Sequence, residues 1–122
     1  MRKILFRGKE VNSGIWVHGS LITSAASDKV ARIVVSDDVD EMYFEEYDVD
    51  PDSVGQFTGF TDANEEKIFE GDTLNNGRYT VLVIWQEKWG EWNVREHAKN
   101  VRCNLHLFLE GYPKSVIKKG KQ

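Results

Sequence analysis

The sequence is poor in residues that staple, break or anchor a chain. Of its 122 residues one is cysteine and two are proline. A single thiol cannot form an internal bridge, which excludes a disulfide scaffold and fits a reducing compartment. No apolar run approaches the ~20 residues of a membrane-spanning helix. The opening Met1-Arg2-Lys3-Ile4-Leu5-Phe6-Arg7 places three apolar residues after two cations, too few for a secretory leader. A cytoplasmic protein without membrane attachment is expected. Dinucleotide, phosphate-loop and nucleophile-elbow glycine motifs are all missing. Zinc needs clustered Cys and His, and one Cys with three scattered His does not supply that. Neither an enzyme nor a cofactor is expected.

What is present is globular. Apolar residues make up 40% and charged residues 30%, outside the disordered range. A chain of this length suits one domain and buries roughly 65% of its unfolded surface without metal or disulfide. Charge is uneven. Residues 1–32 carry a net of +4, residues 33–66 hold twelve acids and no Lys or Arg, and residues 67–122 return to +4. An acidic middle between basic flanks bears on partners.

Alternation with period two dominates. Strands are expected at residues 3–6, 15–22, 30–35, 43–49 and 54–60. In the second, Ile15, Val17 and Leu21 share one face and Trp16, His18 and Ser20 the other. A polar loop is expected over 23–28, and a helix over 37–47 competes with the strand there. Asn12-Ser13-Gly14 and Pro51 mark turns. Asn76-Gly77 predicts a type I′ hairpin between strands at 73–75 and 79–85. Gly90 marks a further turn before a strand at 91–94. The clearest strand is expected over 101–109, with Val101, Cys103, Leu105, Leu107 and Leu109 on one face. Residues 114–122, rich in lysine, read as a solvated tail. The sum is a mainly-β domain over 1–122, a small barrel or sandwich of about eight short antiparallel strands, with a soft seam at 62–66.

Several separated motifs lie along the first two thirds: Met1-Arg2-Lys3-Ile4-x-Phe6-Arg7-Gly8, then Gly14-x-Trp16-Val17-x-Gly19-x-Leu21. Val49-Asp50-Pro51-x-Ser53-Val54-Gly55-Gln56-Phe57-Thr58-Gly59 follows, then Asp62-x-Asn64 and Ile68-Phe69-Glu70-Gly71-Asp72. In this order they resemble the YopX-like family of phage and prophage proteins. From Trp85 onward only a general strand pattern is shared, and the Asn-Pro-rich close of the family is missing. The resemblance implies a mainly-β fold, a mobile-element origin and self-association into a homo-oligomer. It carries over no catalytic residues. The signature positions Trp16, Gly19, Gly55, Gln56, Thr58, Gly59, Asp62, Asn64, Glu70, Gly71 and Asp72 read as structural, with glycines at strand ends or close approaches and Asp72 closing a corner. Trp16, Phe57, Phe60 and Phe69 are expected to supply core area.

Three constellations remain. Asp48, Asp50 and Asp52 have the opening spacing of a calcium loop, but Ser53 and Gly59 occupy the positions that need Gly and Glu, and Pro51 intervenes. No metal is expected there. Cys103 and His106 would fall on opposite faces of one strand, which disfavours a dyad, and Cys103 reads as a buried thiol. Trp85, Trp89 and Trp92 crowd one hairpin with Lys88 and Arg95. Exposed aromatics beside cations can stack bases or grip a protein, although Trp85 is expected to complete the core. The expectation is a binding protein. Its partner is a host or phage protein met through the acidic middle, or alternatively a nucleic acid met through the 85–92 hairpin.

Overall fold

Alternating apolar and polar side chains become strands along most of the chain. The computed structural model describes residues 4–24, 27–37, 40–96 and 101–118. Among them, eleven strands form two antiparallel sheets, with a short 3-10 turn between two strands of the first and one short helix between two strands of the second. The fold is mainly β, as the alternation predicts. Neither sheet closes into a barrel among the described residues; both are open. Two compact units divide between Phe57 and Thr58. Residues 62–66 lie within the second unit and connect the strands Gly55–Thr61 and Lys67–Phe69.

The first unit contains β1 (Phe6–Lys9), β2 (Trp16–Ser24), β3 (Ser27–Asp37), β4 (Asp40–Val49) and the start of β5 (Gly55–Thr61). The strand order is β4-β3-β2-β1-β5, and β5 continues into the second unit to carry β6 (Lys67–Phe69). One face buries Ala31, Ile33 and Val49, with Phe6, Val17, Leu21, Val35, Tyr47 and Val54 packed around them. Each fully buried large aliphatic side chain contributes about 1.5–3 kcal/mol, so Ile33 is a principal anchor of this small core. The helix that competes over 37–47 does not form, and the expected strand does, as β4. Its residues pair with β3 from Val35 opposite Glu45 to Ala31 opposite Val49, where β-branched partners favour the ladder. Of the polar loop expected over 23–28, Thr23 and Ser24 belong to β2 and Ser27 and Asp28 to β3, while residues 25–26 lie outside the described residues. After β4 a 3-10 turn spans Pro51–Ser53, capped by the Asp50 carboxylate, which accepts from the Asp52 N–H at 3.0 Å.

The second unit orders β10 (Val101–Asn104), β9 (Glu91–Glu96), β8 (Thr80–Gln86), β7 (Thr73–Asn75) and β11 (Val116–Ile117) side by side. Its core is Ile68, Leu74, Val81, Val83, Val94, Leu105 and Phe108. The strand expected over 101–109 stops at Asn104 and becomes helix α1 (Leu105–Gly111). Asn104 decides this. Its side-chain oxygen accepts from the N–H groups of His106 at 2.8 Å and Leu107 at 3.3 Å, a helix N-cap. Leu105 and Phe108, three apart, then face the core, while Leu107 turns outward at 60% exposure. The Asn76-Gly77 hairpin forms where expected but with a four-residue link, since Asn75 pairs with Thr80. Gly77 has φ +93°, whereas among the described residues Glu65 is the one non-glycine with positive φ, so the turn is not type I′. Asn76 Oδ1 accepts from Arg78 and Tyr79 N–H and shapes the wider turn. Part of the expected tail is also ordered: β11 pairs with β7, and Ser115 is buried. Residues 119–122 of that tail lie outside the described residues.

Candidate functional site

The signature residues of the second unit act on the backbone. Asp62 is 7% exposed, and its carboxylate accepts three N–H groups: Asn64 at 2.8 Å, Glu66 at 2.9 Å and Ile117 at 2.9 Å. One side chain thus shapes the β5–β6 turn and fastens β11, 55 residues on. Asn64 contributes its backbone N–H and is exposed. Thr58 Oγ1 donates to the Ile68 carbonyl at 2.8 Å and accepts from Phe60 N–H. At the following corner Glu70 is half-buried, Gly71 has φ +91°, and Asp72 Oδ2 accepts from Phe69 N–H at 2.8 Å. The positive φ at Gly71 and Gly59 explains why glycine stands at both.

In the first unit, Gly55 and Gln56 pair through their backbones with Arg7 and Phe6. Gly19 lies so close to β3 that a Cβ there would sit 2.1 Å from the Val34 carbonyl oxygen. Trp16 does not join the core as expected. It occupies the opposite face of β2, with the Arg7 guanidinium 4.5 Å and the Lys9 ammonium 5.2 Å from its ring centre. Phe69 is buried as expected, and Phe60 packs against the core of the second unit.

The tryptophan hairpin is only partly assembled. Trp85 and Trp92 pair across β8 and β9 with rings edge to face at 4.9 Å. Trp85 does not complete the core; it is 42% exposed, and Trp92 is the one packed against the apolar cluster. The pair is the last on its face of the ladder, one position before the closing Gln86–Glu91 pair. Trp89 is 60% exposed in the turn, with Lys88 over its ring at 5.4 Å. Arg95, odd-numbered like Asn93, points to the face opposite Trp92 and Val94. Trp89, Lys88, Trp92 and Arg95 therefore do not form one surface. Cys103 is half-buried beside the core and not fully buried as expected. His106 pairs with Glu110 at 2.9 Å on the helix surface, next to Phe60.

The acidic middle takes a definite place. β4 ends its sheet, and the exposed side chains of Glu45, Glu46 and Asp48 lie on it, followed by exposed Asp50 and Asp52. Arg32 on β3 meets Asp48 at 2.9 Å and Glu46 at 3.7 Å. At its far end β4 is covered on the outer side, since Val11 N–H donates to the Asp48 carbonyl and Glu10 bridges Val49. Between Asp40 and Tyr47 no further strand among the described residues covers it. The Tyr47 hydroxyl donates to Glu45. That hydrogen bond, then desolvation, then the charges of Glu45 and Glu10 raise the phenol above its usual 10.0.

The sequence model described as YopX protein matches residues 5–112. The chain belongs to the YopX family. No curated protein matches it. The YopX match runs through Trp85 and on past α1, beyond the stretch whose motifs carry the resemblance. Within that YopX region several residues were not foreseen. Glu91 accepts from Asn93 at 3.1 Å and from Asn104 at 2.9 Å, so it ties the tryptophan hairpin to the helix cap. Asn before an apolar run is an N-cap signal that alternation in the same run concealed. A pocket beside α1 was also missed, because a helix read as strand leaves no such space.

Proposed function

We propose that this YopX-family protein is a non-enzymatic binding module, encoded by a phage or integrated element and working in the cytoplasm. Its partner is a basic segment of a host or phage protein. The supporting observation is the acidic edge strand β4, with Glu45, Glu46, Asp48, Asp50 and Asp52 exposed along and after it. An uncovered edge offers backbone N–H and C=O groups to an added strand. Charges on that edge discourage pairing with a second acidic copy and favour a strand of Lys and Arg. The lone cysteine supports a reducing compartment.

A titration with an extended Lys/Arg-rich peptide tests the reading. Binding should weaken as salt rises from about 50 to about 300 mM, as expected for exposed charges. It should also fall about tenfold or more in Glu45→Lys/Glu46→Lys, consistent with charge reversal at a complementary interface. Equal binding by that double variant, or tighter binding of a single-stranded oligonucleotide than of the peptide, would overturn it.

A further inference from the structure

The second unit has a half-open pocket of about 400 Å³ between the β8–β9–β10 face and α1, within the size range of small-molecule sites, with exposed Leu107 and Tyr112 at its rim. Its construction follows from the strand-to-helix switch at Asn104. Val81 and Val94 form the sheet side, and Leu107 and Phe108 come from the helix. Tyr79 and Tyr112 add aromatic walls, their rings edge to face at 5.9 Å, with Tyr112 also 5.0 Å from Phe108. Against this apolar and aromatic lining stand two groups with chemistry, Glu96 and Cys103.

Glu96 gives the space its character. It extends from the end of β9 on the same face as Trp92 and Val94. Among the described residues no cation or hydrogen-bond donor side chain meets its carboxylate. Arg95 and Arg102 pair on the opposite face of the sheet, too far round to neutralise it. The formal charge of the described lining residues is therefore negative, and of the rings among them Tyr79 already carries a cation, the Arg78 guanidinium 5.3 Å from its centre. An anionic ligand would be repelled, and a neutral apolar one would leave the carboxylate without a partner.

We propose that this pocket is a binding site for a small organic cation: an ammonium group carried on an aromatic or alkyl body. The ammonium pairs with Glu96, and the body packs among Tyr79, Phe108, Tyr112 and Leu107. The site lies wholly within the second unit and is independent of the edge-strand reading.

Phenethylamine, its uncharged analogue phenethyl alcohol and the anion 3-phenylpropionate serve as probes. Amide chemical shifts of residues 94–96 and 103–108 locate binding and give the affinity. The amine should bind about tenfold or more tightly than the alcohol, the scale of one hydrogen-bonded charge pair, and the anion should bind weakest. Glu96→Gln, close in shape, should bring the amine down to the alcohol while leaving the alcohol unchanged. Leu107→Trp, at an exposed helix position, should fill the space and abolish binding of both. Equal affinity for amine and anion, shifts confined to other residues, or an undiminished amine affinity in Glu96→Gln would each overturn the assignment.

Discussion

Replacing Asp62 by Asn removes one acceptor from a carboxylate that holds three backbone N–H groups. The amide oxygen can still serve Asn64 and Glu66, but its NH2 then faces the Ile117 N–H, donor against donor. Hydrogen bonds to charged groups contribute about 1.5–3 kcal/mol each, so Asp62→Asn should cost about that amount. Asp62→Ala strands all three donors. Two of them lie in a turn with exposed neighbours that water can reach, so the loss should be about 3–5 kcal/mol and not the full sum. For a chain of this size each kcal/mol lowers Tm by roughly 3–6 °C, which puts Asp62→Asn about 5–18 °C below the parent. Three of the four tryptophans lie in the second unit, so fluorescence-detected melting reports mainly on the affected part. Amide exchange at Ile117 should accelerate in both variants. Asn64→Ala, which keeps the backbone N–H, should melt like the parent. A change under about 0.5 kcal/mol in Asp62→Asn with Ile117 protection intact would refute the reasoning, since that is the scale of an ordinary surface substitution.

Gly19→Ala forces a Cβ against the Val34 carbonyl and should cost about 1–3 kcal/mol or more in chemical denaturation. Gly14→Ala meets no atom within 4 Å but holds φ +71°, so it should lose only about 1–2 kcal/mol. Asn104→Ala removes the cap of α1 and should cost about 0.5–2 kcal/mol by urea midpoint. Asn104→Asp, a good cap in isolation, should also destabilise at neutral pH because it sets a carboxylate against Glu91. For Tyr47 the folded phenol titrates above its unfolded value, so its stabilising contribution is complete below the unfolded value near 10 and disappears as pH rises through the raised one. Tyr47→Phe should remove a late component from the ultraviolet tyrosinate titration and flatten the alkaline loss of stability. An unchanged titration curve would contradict the Glu45 contact.

Much of the fold was legible because a sheet with one buried face writes its period into the sequence. Val17 and Leu21 face the first core, and Val81 and Val83 the second, as alternation requires. The rule failed where two periods coincide. Leu105, Leu107 and Leu109 alternate, yet Leu105 and Phe108 also stand three apart, and only the cap on Asn104 selects the helix. The tryptophans failed for another reason. Which of a cross-strand pair faces a core depends on where the ladder ends, and that is a property of the whole sheet. The glycine and aspartate signature suggested turns, but the reach from Asp62 to Ile117 is a long-range contact that no local pattern encodes. The acidic segment was plain in the composition; its place on an edge strand came only from the sheet order.

β11 carries a consequence for biosynthesis. The first unit has all of its residues once Phe57 has been made, so it can assemble while the ribosome is still working. The second must wait for Ile117, because the slot between β7 and the Asp62 carboxylate stays vacant until that residue emerges. Nascent chains stalled with Ile117 still inside the ribosome should expose the flank of β7 to chaperones, whereas a C-terminal linker long enough to bring that residue out should close it.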